Sequence, residues 1–101
     1  MGCIDLPPVH PGEILRDLYL EPLGLSSYAL AKKLNVPRTR IERVIAKKTG
    51  ITSDTALRLA KFFRTSPQFW LNLQNSYELK LDGEALKEEL EHIPVCENVA
   101  A

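Results

Sequence analysis

Apolar positions recur along nearly the whole chain at intervals of three and four residues, the period of a helix buried on one face. Ile14, Leu15, Leu18 and Tyr19 form the first run. His10-Pro11-Gly12-Glu13 opens it, since Pro11 suits a first helical position and Glu13 the positive helix end. Pro22-Leu23-Gly24 closes it. Ser26 or Ser27 caps a second helix with Leu30, Ala31 and Leu34 facing inward. Asn35, tolerant of left-handed backbone, marks the turn after it. Pro37 opens a third helix with Ile41, Val44 and Ile45 inward, and Gly50 ends its exit loop. Thr52 caps a fourth, which carries Leu57, Leu59, Ala60, Phe62 and Phe63. Ser66-Pro67 starts a fifth, with Phe69, Trp70, Leu73, Tyr77 and Leu81, until Asp82-Gly83 breaks it. Glu84 to Glu91 reads as a short acidic sixth helix, and the tail beyond Pro94 is expected to fray. No stretch alternates as a strand does, and nothing repeats. The pattern predicts an all-α bundle of five to six helices.

Within it, Leu30, Ala31, Leu34, Asn35, Val36, Ile41 and Val44 stand at the offsets of a helix-turn-helix over residues 26–47. Ala31 is small where two short helices cross. With Ile41, Val44 and Ile45 inward, the helical period turns Arg38, Thr39, Glu42, Arg43 and Lys47 to solvent, with Arg40 at the flank. A recognition helix offers its N-terminal residues to the major groove. Arg38, Thr39 and Arg43 are therefore candidates for base edges, arginine on guanine O6 and N7 and Thr39 on a thymine methyl, with Glu42 able to accept from cytosine N4. Arg40, Lys47, Lys48 and the loop to Thr52 are expected along phosphates. Ser27 and Lys32 are expected on the far side of the groove.

The distribution of charge strengthens this reading. The 101 residues are formally neutral, with 13 basic and 13 acidic side chains. Yet Ser26 to Arg64 holds ten basic residues and two acidic ones, a surplus of eight positive charges. Residues 1–25 and 65–101 supply the compensating negative charge. A cationic block confined to one unit is the footprint of a phosphate-backbone binder.

The stretches HPGEIL, YALAKKLNVPRTRIERVIA, GITSDTALRLAKFF and TSPQFWLNLQ resemble the HigA-type antitoxins of bacterial toxin–antitoxin modules, within the Xre-type, lambda-repressor-like family. The similarity spans about residues 9 to 80. It implies a lambda-repressor-like bundle and a homodimer on a palindrome in the promoter of its own operon. It also implies neutralisation of a cognate RelE-like (HigB-type) toxin that cleaves translated mRNA. Three positions depart from the usual run: Lys47 and Arg64 stand where glycine is common, and Thr49 where a basic residue is frequent.

The remaining features fix the organisation. An N-terminal extension (1–9), a DNA-binding domain (10–81) and an acidic end (82–101) are expected. Trp70, Leu73, Tyr77 and Leu81 are candidates for a twofold contact through the fifth helix. Either acidic end is a candidate for a basic toxin surface. Met1-Gly2 suggests lipidation, but Leu6 stands where that motif needs Ser or Thr. Cys3 and Cys96 form no CxxC pair and read as reduced thiols of a cytoplasmic protein. Neither they nor His10 and His92 make a metal set, and no glycine-rich phosphate loop or nucleophile–base set is present. The expectation is no enzyme, no cofactor, no membrane and no small-molecule substrate. Two rivals stay open: a freestanding repressor without a toxin, and a protein-binding module that has lost DNA binding.

Overall fold

His10 begins the first helix by turning its own ring into the cap: its Nδ1 accepts from the Gly12 amide at 2.9 Å, ahead of Pro11. In this computed structural model, which describes residues 8–97, the helix α1 runs as an α-helical turn (Pro11–Ile14), a π-helical stretch (Leu15–Leu20) and a last α-turn (Glu21–Leu23). Pro22 accounts for the widening. It has no N–H to give to the preceding turn, and its ring presses on the carbonyl four residues back. The other helices are α2 (Ser27–Leu34), α3 (Arg38–Ile45), α4 (Ser53–Phe63), α5 (Pro67–Ala85) and α6 (Lys87–Glu91). The described residues contain no strand.

Side-chain caps start the helices where the sequence places them. Ser26, Thr52 and Ser66 each accept from the amide three residues on, at 3.0, 3.3 and 3.0 Å. The ends of α1 to α4 share one device. Gly24, Asn35, Lys47 and Arg64 all have φ near +60°. In each case the next amide reaches back to a carbonyl five residues earlier: Leu25 to Leu20, Val36 to Ala31, Lys48 to Arg43 and Thr65 to Ala60. This is the wrapped helix end that glycine favours. Lys47 and Arg64 keep it without glycine, at about 1 kcal/mol each.

Leu15, Leu30, Ile41, Val44, Leu59 and Trp70 fill the core, with Ala31 and Ala56 where helices approach closely. Tyr19, Phe63 and Phe69 surround Trp70, with ring centroids 5.0, 6.3 and 5.0 Å from it. The indole Nε1 donates to Thr65 Oγ1 at 2.8 Å. This corrects the expectation for Trp70. It is 0 % exposed, so it seals the bundle and has no surface left for a partner. Leu73 and Tyr77 are half-buried, while Leu81 is exposed.

A second correction concerns α5. The expected break at Asp82-Gly83 does not occur, and the helix continues to Ala85. One exposed glycine costs a helix only about 1 kcal/mol, and strong helix formers flank it. The described residues therefore end in an arm, helical as far as Glu91, in which every residue from Glu78 to Glu97 is exposed. Most of the N-terminal extension, including Cys3, lies outside the described residues. Cys96 is an exposed free thiol.

Candidate nucleic-acid interface

The outward face of α3 follows from what its inward face must do. Ile41 and Val44 are buried to 0 and 1 % exposure. That leaves Arg38, Thr39, Glu42 and Arg43 exposed along one side. Pro37 stands at the cap position with extended backbone and no side-chain cap, so the chain enters α3 stiffly. Arg38 Nε lies 3.3 Å from Glu42 Oε2, one turn on. Glu42 thus holds Arg38 along the helix. Thr39, Glu42, Arg43, Ala46 and Lys48 line one shallow depression, which brings base-reading and phosphate-reading candidates together.

On the other side of the motif, Ser26 caps α2 and Ser27 takes its first position, half-buried. Lys32 is exposed, with its ammonium 5.9 Å from the Tyr28 ring centre. Thr52, expected at phosphate, already accepts from the Thr55 amide as the cap of α4.

Two other residues expected at phosphate pair at the surface with acids of other helices. Arg40 Nη1 meets Asp54 Oδ1 at 2.6 Å, and Arg58 Nε meets the same oxygen at 2.6 Å. Arg58 Nη1 also donates to the Leu34 carbonyl at 2.8 Å, which closes the end of α2. Asp54 is held below the usual carboxylate range by hydrogen bonds from Arg58 first and Arg40 second. Arg40 is thus a strut between α3 and α4. Lys47 pairs its ammonium with the Glu13 carboxylate and joins the end of α3 to α1. Helical period sets Lys47 outward and Arg40 at the flank, but it does not reveal the acids that other elements bring to each.

Sequence reasoning missed the residues that fix the loop after α3. Gln74, 8 % exposed on α5, accepts from the Ile51 amide at 2.8 Å. Gly50 packs against its carboxamide so closely that a Cβ would sit 2.6 Å from it. His10 lies beneath the same loop, edge-on to Tyr77 at 4.9 Å. Burial lowers its pKa, a backbone hydrogen bond with Thr49 acts the other way, and Lys47 deepens the lowering. The signal for Gln74 was present: it is a polar residue one turn beyond Trp70, on the buried stripe of α5.

Among the described residues, no group of three or more His, Cys, Asp or Glu side chains is placed to hold a metal. No helix among them is long and apolar enough to cross a membrane.

A short bundle with two helices crossed around Ala31, and an exposed cationic face on the second, defines a helix-turn-helix protein. The helix-turn-helix family matches residues 15–70. Virulence-associated protein I of Dichelobacter nodosus is 52 % identical over 80 residues, 79 % of this chain and 74 % of that one. Antitoxin HigA-1 of Vibrio cholerae is 38 % identical over 72 residues, 71 % of this chain and 68 % of that one. Among solved structures, the Pseudomonas aeruginosa antitoxin HigA with the higBA promoter superposes with a TM-score of 0.83 at 39 % identity, covering 91 % of this chain and 99 % of that one. The chain belongs to the helix-turn-helix family and, within it, to the HigA-type antitoxins, a non-enzymatic group of regulators.

Proposed function

We propose that this protein is an antitoxin that represses its own operon. It binds a palindromic promoter site as a homodimer and neutralises a cognate basic, RelE-like toxin. The exposed face of α3 carries this reading: Arg38, Thr39 and Arg43 stand free of the core, on a helix tied to α4 through Arg40 and Asp54, with Glu13 and Gln74 holding Lys47 and Ile51 in the segment that follows it. Arg38, Thr39 and Arg43 read bases, and Glu42 orients Arg38 until a cytosine amino group competes for it. Lys48, Lys32 and Ser27 hold phosphates on either side of the groove. One monomer reaches one half-site, and a dimer spans two, about 34 Å apart. The HigA of P. aeruginosa seen with its promoter supports this use of the fold.

The test is a titration of the chain against its own promoter fragment at several salt concentrations. Log affinity should fall linearly with log salt, by about 0.9 per phosphate neutralised. A flat response would refute DNA binding. Co-expression with the adjacent reading frame tests the second half: a basic protein of about 100 residues should co-purify and lose its toxicity. Promoter binding without any such partner would leave a freestanding repressor.

A further inference from the structure

Two exposed surfaces remain without a role. The first is the arm. From Glu78 onward, α5 and α6 leave the bundle and stretch the molecule to 52 Å along one axis against 26 Å across the others. Leu79 is 74 % exposed, and Leu86, Leu90 and Ile93 are each about half exposed or more. The Leu90 amide donates to the Leu86 carbonyl at 2.8 Å and the Ile93 amide to the Leu90 carbonyl at 3.1 Å. Those turns set Leu86, Leu90 and Ile93 on one stripe. Glu88, Glu89 and Glu91 flank it, and residues 78–97 hold seven acidic side chains against two basic ones. An apolar stripe left in water forgoes roughly 25 cal/mol for each Å² that a partner would cover.

The second surface is a groove of about 300 Å³ between the end of α2 and the outer side of α4. Leu34, Leu57 and Phe62 form its floor, and Lys33, Arg58 and Lys61 its rim. Leu57 and Phe62 are exposed, so the groove stands open in the single chain. An apolar floor with a cationic rim is the complement of an apolar stripe with acidic edges.

We propose that the arm of one copy lies in this groove of a second copy, and the reverse, so that two identical arm–groove contacts close the dimer. This rests on the homodimer reading above and assigns its surface. The occupant follows from both halves taken together. A basic protein fits the arm but not the groove, and a nucleic acid fits the rim but not the leucines. A second copy fits both, and a twofold interface joins each pair twice.

Sedimentation of the full chain without DNA tests this. Lys33→Glu with Lys61→Glu reverses the rim, and Glu88→Lys with Glu89→Lys reverses the arm. All four residues are exposed. Each double variant should weaken the dimer roughly ten-fold or more, because like charges then face each other in both contacts. Combining the two should restore the parent affinity to within about three-fold. Leu86→Ala with Leu90→Ala should also weaken the dimer while helix content by circular dichroism is kept. A parent dimer that none of these changes weakens, or a combination that fails to restore it, would overturn the arm–groove contact and leave the homodimer standing. A monomeric parent at tens of micromolar would overturn both.

Discussion

Arg38 and Arg40 sit two residues apart on α3 and are used in opposite ways. Arg38 lies along the exposed face, beside Glu42 of its own helix. Arg40 turns to the flank, where Asp54, which also accepts from Arg58, ties it to α4. The contrast extends across the cationic block. Arg43 and Lys48 line the outer depression with Thr39, whereas Lys47 and Arg58 are committed to Glu13, Asp54 and the end of α2. The outer cations face solvent along α3, and the inner ones join neighbouring helices. Charge density alone does not separate these groups; the position of the nearest acid does.

The strongest way to break this division is at its outer edge. Arg38→Ala should cost about 1–3 kcal/mol of operator affinity and relax preference at one base position per half-site, with the melting temperature little changed. Lys48→Ala should instead weaken all sequences alike and reduce the salt slope by about one. Equal behaviour of these two variants in a binding-site selection would merge base readers with phosphate readers.

The inner group should respond in stability first. Arg58→Ala removes a charged donor from the Leu34 carbonyl and one of two partners of Asp54, and should lower unfolding free energy by about 1–2 kcal/mol in urea melts. If it instead left stability intact and cost only DNA affinity, Arg58 would belong with the outer cations. Arg64→Gly should stabilise by up to about 1 kcal/mol, because only glycine takes φ near +60° without cost. Lys47→Gly should gain less, since it also gives up the Glu13 pair.

The smallest expected effect is a pH dependence at His10. Burial lowers its folded-state pKa below the ordinary value of 6.5. The unfolded chain therefore binds the extra proton first as pH falls. The contribution of His10 is whole above about 6.5 and is lost as pH drops towards the lowered folded value. Protonation would also replace the Nδ1 lone pair that caps Gly12. Melting temperatures of the parent and His10→Asn should diverge less at pH 5.5 than at pH 7.5. An equal gap at both values would remove the histidine from the pH response.

Much of this architecture was legible from local chemistry. The caps at Ser26, Thr52 and Ser66, the left-handed turn at Asn35 and the inward face of α3 depend on residues a few positions apart, and the chain obeys them. Trp70 was not legible, because helical spacing shows that a side chain lies on a stripe but not what covers it. The aromatic rings that close over it come from α1, α4 and α5. The continuation of α5 through Gly83 was hidden for the opposite reason: local breakers suggest an end, and neighbouring helix formers outweigh them. At the interface, Arg40 with Asp54 and Lys47 with Glu13 are tertiary pairs, invisible to a helical wheel. The departures at Lys47 and Arg64 from the family's glycines left the geometry of both turns open, and the structure keeps each in the left-handed region.

Gly50 is a different kind of glycine from the one at position 24. Gly24 needs its backbone freedom, with φ at +59° and open space around it. Gly50 needs its emptiness, because the carboxamide of Gln74 fills the place where a side chain would begin. Positions 50 and 74 should therefore be inherited as a pair. A descendant that acquires alanine at 50 must shorten or turn aside residue 74, and it then leaves the Ile51 amide to find another acceptor. The joint history of two residues 24 positions apart would record whether a lineage has kept the same path for the loop beside its recognition helix.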